Sequence, residues 1–118
     1  MERGTIIIDR NSVTITGNVW QTDYEIAELF GVTMSVIHSN IKSTFKSGVL
    51  SEYDVYRYIH LGNGNRADAY NLEMITALAF RLNSPHAKVY RDWILKKAVT
   101  PIRSHPPIVL QLKEGFQC

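Results

Sequence analysis

Three features of this 118-residue chain predict an α+β fold. Two short β-branched runs, residues 5–9 and 13–16, flank the turn-forming Asp9-Arg10-Asn11-Ser12. Stretches with apolar side chains at helical spacing begin at Thr22, Thr33, Asn71 and Ser84. Between the second and third of these lie two runs of β-formers, residues 55–61 and 66–70, joined by Gly62-Asn63-Gly64-Asn65. Together they predict a winged helix-turn-helix with an N-terminal β-hairpin and two C-terminal helices. Residues 1–100 are expected to form one domain, followed by a tail over 101–118.

Taken in order, residues 5–9 and 13–16 make the hairpin, because β-branched side chains suit a pleated surface and Asp, Asn and Ser favour the turn. Gly17-Asn18 then leads into Val19-Trp20, expected to pack on the hairpin or the first helix. Thr22 caps that helix, and Glu25 three residues later completes a capping box. Ile26, Leu29 and Phe30 form its apolar stripe, and Gly31 ends it.

Residues 22–46 carry the offsets of a helix-turn-helix. Ala27 is small enough for a second helix to cross closely. Gly31 can adopt the positive φ of a sharp turn. Ile37 returns an apolar side chain to the helix interface. Thr33 caps the second helix, whose buried face is expected to hold Ile37, Ile41 and Phe45, helped by Val36; Gly48 stops it. The opposite face then carries Met34, Ser35, His38, Ser39 and Lys42.

The Asn-Gly pair in 62–65 is a strong short-range hairpin signal, and a hairpin after such a helix pair is what a winged variant contains. Asn71 caps a third helix with Leu72, Ile75, Leu78, Ala79 and Leu82 inward, expected to stop at Asn83. Ser84-Pro85 starts the fourth, an N-cap followed by proline in the first turn. Val89, Tyr90, Trp93 and Ile94 are expected on one side of it, with Arg91, Lys96 and Lys97 on or near the other. Pro101 closes it. The apolar residues 108–112 suit either an edge strand or contact with a second subunit.

Composition restricts the function classes. With 45% hydrophobic and 20% charged residues the chain reads as an ordinary globular protein. No apolar run reaches the roughly 20 residues of a membrane span, and the short run Ile6-Ile7-Ile8 is no signal peptide. A single cysteine, Cys118, gives no internal disulfide framework, so a cytoplasmic location is expected.

The net charge of +2 hides a polarised chain. Residues 1–30 hold five acids against two bases, whereas no acid falls between Glu28 and Glu52, where His38, Lys42 and Lys46 stand. From Arg81 to Arg103 six bases face Asp92 alone. Such a distribution suits a polyanionic partner.

The residues do not frame a catalytic site. The four histidines are scattered, with no pair at i and i+4, and no paired-acid motif or nucleophile elbow surrounds the Ser and Asp residues. The glycines at 62 and 64 lack the spacing of a phosphate loop. No catalytic residue, metal or cofactor is assigned, and no enzyme activity is expected.

Duplex DNA is the expected partner instead. Thr33, Met34 and Ser35 open the second helix, where a recognition helix meets phosphates and base edges. His38 and Ser39 follow one turn on, and Lys42 and Lys46 would neutralise backbone charge. Apart from Asn40, this face lacks Arg, Gln or Asn for bidentate base reading. Contacts from the wing, Asn63, Asn65 and Arg66, and DNA shape would supplement it.

In these residues the chain resembles the RhuM-like family of bacterial DNA-binding proteins and, more distantly, the Bro-type N-terminal domains of phage antirepressors. The resemblance runs from Val19-Trp20 through Ile26-Ala27-Glu28-Leu29-Phe30-Gly31-Val32, Ile37, Asn40-Ile41-Lys42, Phe45 and Gly48. It resumes at Tyr70-Asn71-Leu72, Arg81-Leu82-Asn83-Ser84 and Tyr90-Arg91-Asp92-Trp93-Ile94. It implies a prokaryotic DNA-binding domain and less about its biological role; transcription regulation is the expected use of the DNA binding. The start of the second helix, Met34-Ser35-Val36, is less polar than in that family, so its base preference does not carry over. A homodimer is expected, since one short recognition helix reads few base pairs. The alternative is a protein-interaction module on the same scaffold, antirepressor-like.

Overall fold

Alternating side chains decide which way the first strands face. A computed structural model describes residues 3–99 of the chain. Strands β1 (Thr5–Ile8) and β2 (Val13–Thr16) pair antiparallel, with Ile6 opposite Ile15 and Ile8 opposite Val13. Those four point one way, and Ile6 and Val13 are buried in the main core.

Val19-Trp20 does more than pack on its neighbours. Trp20 begins a third strand, β3 (Trp20–Thr22), which pairs with a strand formed about fifty residues later. Thr22 then caps α1 (Asp23–Phe30): its side chain accepts from Glu25 N, and the Glu25 carboxylate accepts from Thr22 N, the capping box expected. Helix α2 (Met34–Ser47) follows after residues 31–33, with the Thr33 hydroxyl accepting from Val36 N.

Two expectations for α2 need correction. Val36 is 39% exposed rather than part of the buried face, while Thr44 is buried with Ile37 and Ile41, and Phe45 is half-buried. The hydroxyl of Thr44 donates to Asn40 O at 2.7 Å, so it enters the interior with its polar atom satisfied. Residue 55 also departs from the strand reading. Residues 52–55 form a single helical turn, α3 (Glu52–Val55), in which Val55 N donates to Ser51 O. The strand β4 (Tyr56–His60) begins only after it.

Strand β5 (Arg66–Asn71) completes a three-stranded antiparallel sheet of order β3-β5-β4. The hairpin between β4 and β5 forms as expected, closed by a three-residue loop, Gly62-Asn63-Gly64. Gly64 N donates to Leu61 O, Leu61 N donates to Asn65 O, and Gly64 takes φ 88°.

Asn71 caps α4 (Leu72–Ala79) through Met74 N. The helix ends at Ala79 rather than Asn83, because Arg81 N and Leu82 N both turn back to Leu78 O. Met74 is fully buried beside Ile75, Leu78 and Ala79. In α5 (Pro85–Val99) the buried residues are Ala87 and Tyr90, with Val89, Trp93 and Ile94 half-buried.

The main core unites the first hairpin and all five helices found among the described residues. Phe30, Ile26, Ile37, Met74, Ile75, Leu78 and Tyr90 have no exposed surface. Phe30 and Tyr90 meet edge to face at 5.9 Å, and the Tyr90 hydroxyl lies 2.7 Å from that of Thr76. The fold is therefore α+β. Among the described residues no helix is long and apolar enough to cross a membrane. The expectations for residues 101–118, including the apolar stretch 108–112, lie outside the described residues.

Candidate nucleic-acid interface

The turn between α1 and α2 is fixed by backbone bonds and one residue conformation. Gly31 has φ 67°; its N–H reaches Glu28 O, and Val32 N donates to Ala27 O at 3.0 Å. That reciprocal pair closes a Schellman motif, which a left-handed residue permits. Ala27 is buried at the crossing and Ile37 is fully enclosed, as their spacing predicts. A Cβ on Gly31 would lie 3.3 Å from His86 Nδ1, so the turn is also held against the start of α5.

This arrangement leaves one stripe of α2 in solvent. Ser35, His38, Ser39, Lys42 and Lys46 are all exposed, at spacings of three and four residues. No acid lies on α2. Lys42 and Lys46 form no ion pair among the described residues, so both charges are presented to solvent.

Other expected contact residues are partly occupied. Met34 is half-buried and packs on the core with part of its side chain. Thr33 is exposed, but its oxygen serves as the helix cap. Asn40 donates to Val36 O at 2.9 Å, which removes one donor from the one amide on this helix.

His38 has a partner that sequence spacing could not supply. Its Nε2 lies 2.7 Å from Asp23 Oδ2 at the start of α1. A carboxylate only accepts, so Nε2 carries the hydrogen and the Nδ1 edge of a neutral ring is left as an acceptor. His38 therefore joins the two helices before it contacts anything else.

At the hairpin tip, Asn63 Oδ1 accepts from Asn65 N, a local brace of the loop. Asn63, Asn65 and Arg66 are exposed. The hairpin is tied to α2 at its base, where the rings of Phe45 and Tyr70 lie 6.5 Å apart and those of Tyr56 and Tyr70 5.7 Å apart.

Comparison with known protein families, curated proteins and solved structures finds no match.

The basic run of α5 is less available than its sequence suggests. Arg91 turns inward and donates to Ala79 O and Leu82 O, closing the end of α4. Lys88 pairs with Asp92 at 2.7 Å, and Lys97 lies 5.7 Å over the Trp93 ring. Arg57 on β4 is likewise placed over Trp20, at 4.6 Å. Among the described residues, Lys42 and Lys46 on α2 and Arg66 at the hairpin tip form no ion pair or ring contact, and neither do Arg10 and Arg81 elsewhere on the surface.

Tyrosine acidities register the acids around the base of the hairpin. Tyr56 donates to Asp68 at 2.7 Å, and that bond pushes it up to about 12. Burial does the same for Tyr70, also to about 12, with Asp68, Asp23 and Glu52 adding to it. No trio of His, Cys, Asp or Glu among the described residues is arranged to hold a metal ion.

Proposed function

We propose that this protein is a winged helix-turn-helix that binds duplex DNA, as the resemblance to RhuM-like proteins implies, and that it uses this binding to regulate transcription. The observation that carries this reading is the pair α1 and α2. Ala27, Gly31 and Ile37 lock the two helices, and the outer stripe of the second presents Ser35, Ser39, Lys42 and Lys46 with no acid among them. A strand ahead of the pair, joined to the second strand of a hairpin behind it, supports the winged arrangement by fold analogy.

In this reading α2 enters the major groove by its first turns. Thr33 and Ser35 and the unpaired N–H groups of the first turn donate to phosphates, since a helix start presents such groups and a partial positive charge. Ser39 and the Nδ1 edge of His38 face the bases. Lys42, Lys46 and Arg66 neutralise the backbone, and Asn63 and Asn65 add wing contacts. The protein works in the cytoplasm as a homodimer on two half-sites.

Fluorescence anisotropy of a labelled random-sequence duplex tests this. If about four phosphates are neutralised, log affinity falls with log salt at a slope near −3.6, so binding weakens roughly a hundredfold between 50 and 200 mM salt. Absence of binding at low salt overturns the reading.

A second reading, a protein-interaction module, is favoured by one observation. Tyr53 is 93% exposed and Val49 is also well exposed, both near the α2–α3 connection. Unchanged behaviour of a Lys42→Ala, Lys46→Ala variant in every DNA assay would favour it.

A further inference from the structure

Strand register assigns more of the hairpin to the interface than its tip. Tyr56 stands opposite Tyr70, Tyr58 opposite Asp68 and His60 opposite Arg66. Opposed residues share a face and alternate residues along a strand do too. These six therefore line one face of the sheet, the face on which Phe45 of α2 packs through Tyr70. The other face carries Trp20, Ile59, Ala69 and Leu61 as a separate cluster, with Arg57 stacked over Trp20.

Outward from α2, this face changes character. Tyr70 is buried and Tyr56 half-buried, and the Tyr56 hydroxyl is taken by Asp68. Tyr58, the next residue on that side of β4, is 58% exposed, and its hydroxyl has no hydrogen-bond partner among the described residues. His60 and Arg66 follow, both exposed.

Resting on the DNA-binding reading above, we propose that Tyr58, with His60 and Arg66, forms a second row of phosphate contacts, the Tyr58 hydroxyl donating to a phosphate oxygen. Phosphate oxygens only accept, and all three side chains donate. Tyr58 and His60 are two residues apart, about 7 Å along a rigid strand, so they meet successive positions of an extended backbone rather than one point. Asp68 directly opposite Tyr58 would cancel a cation there, whereas a neutral hydroxyl donates regardless. The contact at Tyr58 therefore strengthens binding without adding to its salt dependence, unlike that of Arg66.

The test is anisotropy with the full chain and a random-sequence duplex over a salt series, using Tyr58→Phe, Tyr58→Ala, Arg66→Ala and the Lys42→Ala, Lys46→Ala pair. Tyr58→Phe is expected to weaken binding about tenfold or more, the loss of one hydrogen bond to a charged acceptor, with the salt slope unchanged. Arg66→Ala should flatten the slope by about 0.9. Thermal unfolding of Tyr58→Phe should match wild type, since the hydroxyl bonds nothing within the described fold. Wild-type affinity in Tyr58→Phe overturns the proposal, and so does a loss confined to Tyr58→Ala, which would mean ring packing. If the lysine pair loses binding while Tyr58→Phe does not, only this proposal falls. If wild type fails to bind at all, the DNA reading falls and takes it along.

Discussion

Ser84 Oγ donates a hydrogen bond to the backbone carbonyl of Phe30, 2.7 Å away, although 54 residues separate them. The same oxygen accepts from Ala87 N, so one buried hydroxyl both caps α5 and satisfies the last carbonyl of α1. The turn into α2 is thereby fastened to the C-terminal helix. Ser84→Ala leaves that buried carbonyl unsatisfied and removes the cap. A loss of about 2 kcal/mol is expected, read from the urea midpoint at constant m-value.

Gly31 gives a second check on the same junction. Alanine there must take φ 67° and bring its Cβ within 3.3 Å of His86. Gly31→Ala should cost about 1–2 kcal/mol from the left-handed conformation alone. Adding His86→Ala should recover only the contact part of the loss, measured by denaturation of the single and double variants.

Acid stability hinges on Glu25. Burial by itself would raise its carboxyl, but the hydrogen bonds from Arg3 and from Thr22 and the Arg3 charge outweigh it and hold the group below its usual 4.5. Arg3 meets it with two nitrogens, at 2.6 and 3.2 Å. A lowered folded-state pKa contributes stability that is present above the unfolded value and is lost as pH falls through the folded one. Wild type should therefore lose stability below about pH 4.5, and Glu25→Gln should show a lower but flatter profile there. Thermal unfolding across the acid range distinguishes them.

Tyr56 offers the opposite sign. Its hydrogen bond to Asp68 pushes it up to about 12, so the stabilisation is complete below its ordinary value of 10.0 and disappears as pH rises through 12. In Asp68→Asn, the Tyr56 ring signals should begin to titrate below about pH 11. Tyr70, raised chiefly by burial, should move less.

Much of this fold is legible in local sequence, where the interactions are local. Thr22, Thr33, Asn71 and Ser84 each cap the helix they precede, because capping needs only a side-chain oxygen and an N–H three residues on. Gly31 and Ile37 fall where the helix crossing requires them. The misses come from pairings that spacing does not encode. Val36 loses its place in the core to Thr44 because a threonine can return its hydroxyl to the helix backbone. The base of Arg91 is drawn inward by carbonyls at the end of another helix. His38 belongs to Asp23, and Tyr58 joins the candidate interface only once strand register is known.

DNA affinity should follow the charges left in solvent on α2. Lys42→Ala with Lys46→Ala should flatten the salt slope by about 1.8, as two phosphates go unneutralised, without changing the unfolding midpoint. By contrast Arg91→Ala should destabilise the fold, since two carbonyls lose their donor.

The most direct measurement is an amide chemical-shift titration of the isotope-labelled chain with a duplex. The expected result is a set of perturbations concentrated on residues 33–46 and on 58–66, with those of α4 unmoved. Perturbations confined to α4 and α5, or none at saturating duplex, would contradict a recognition helix at α2.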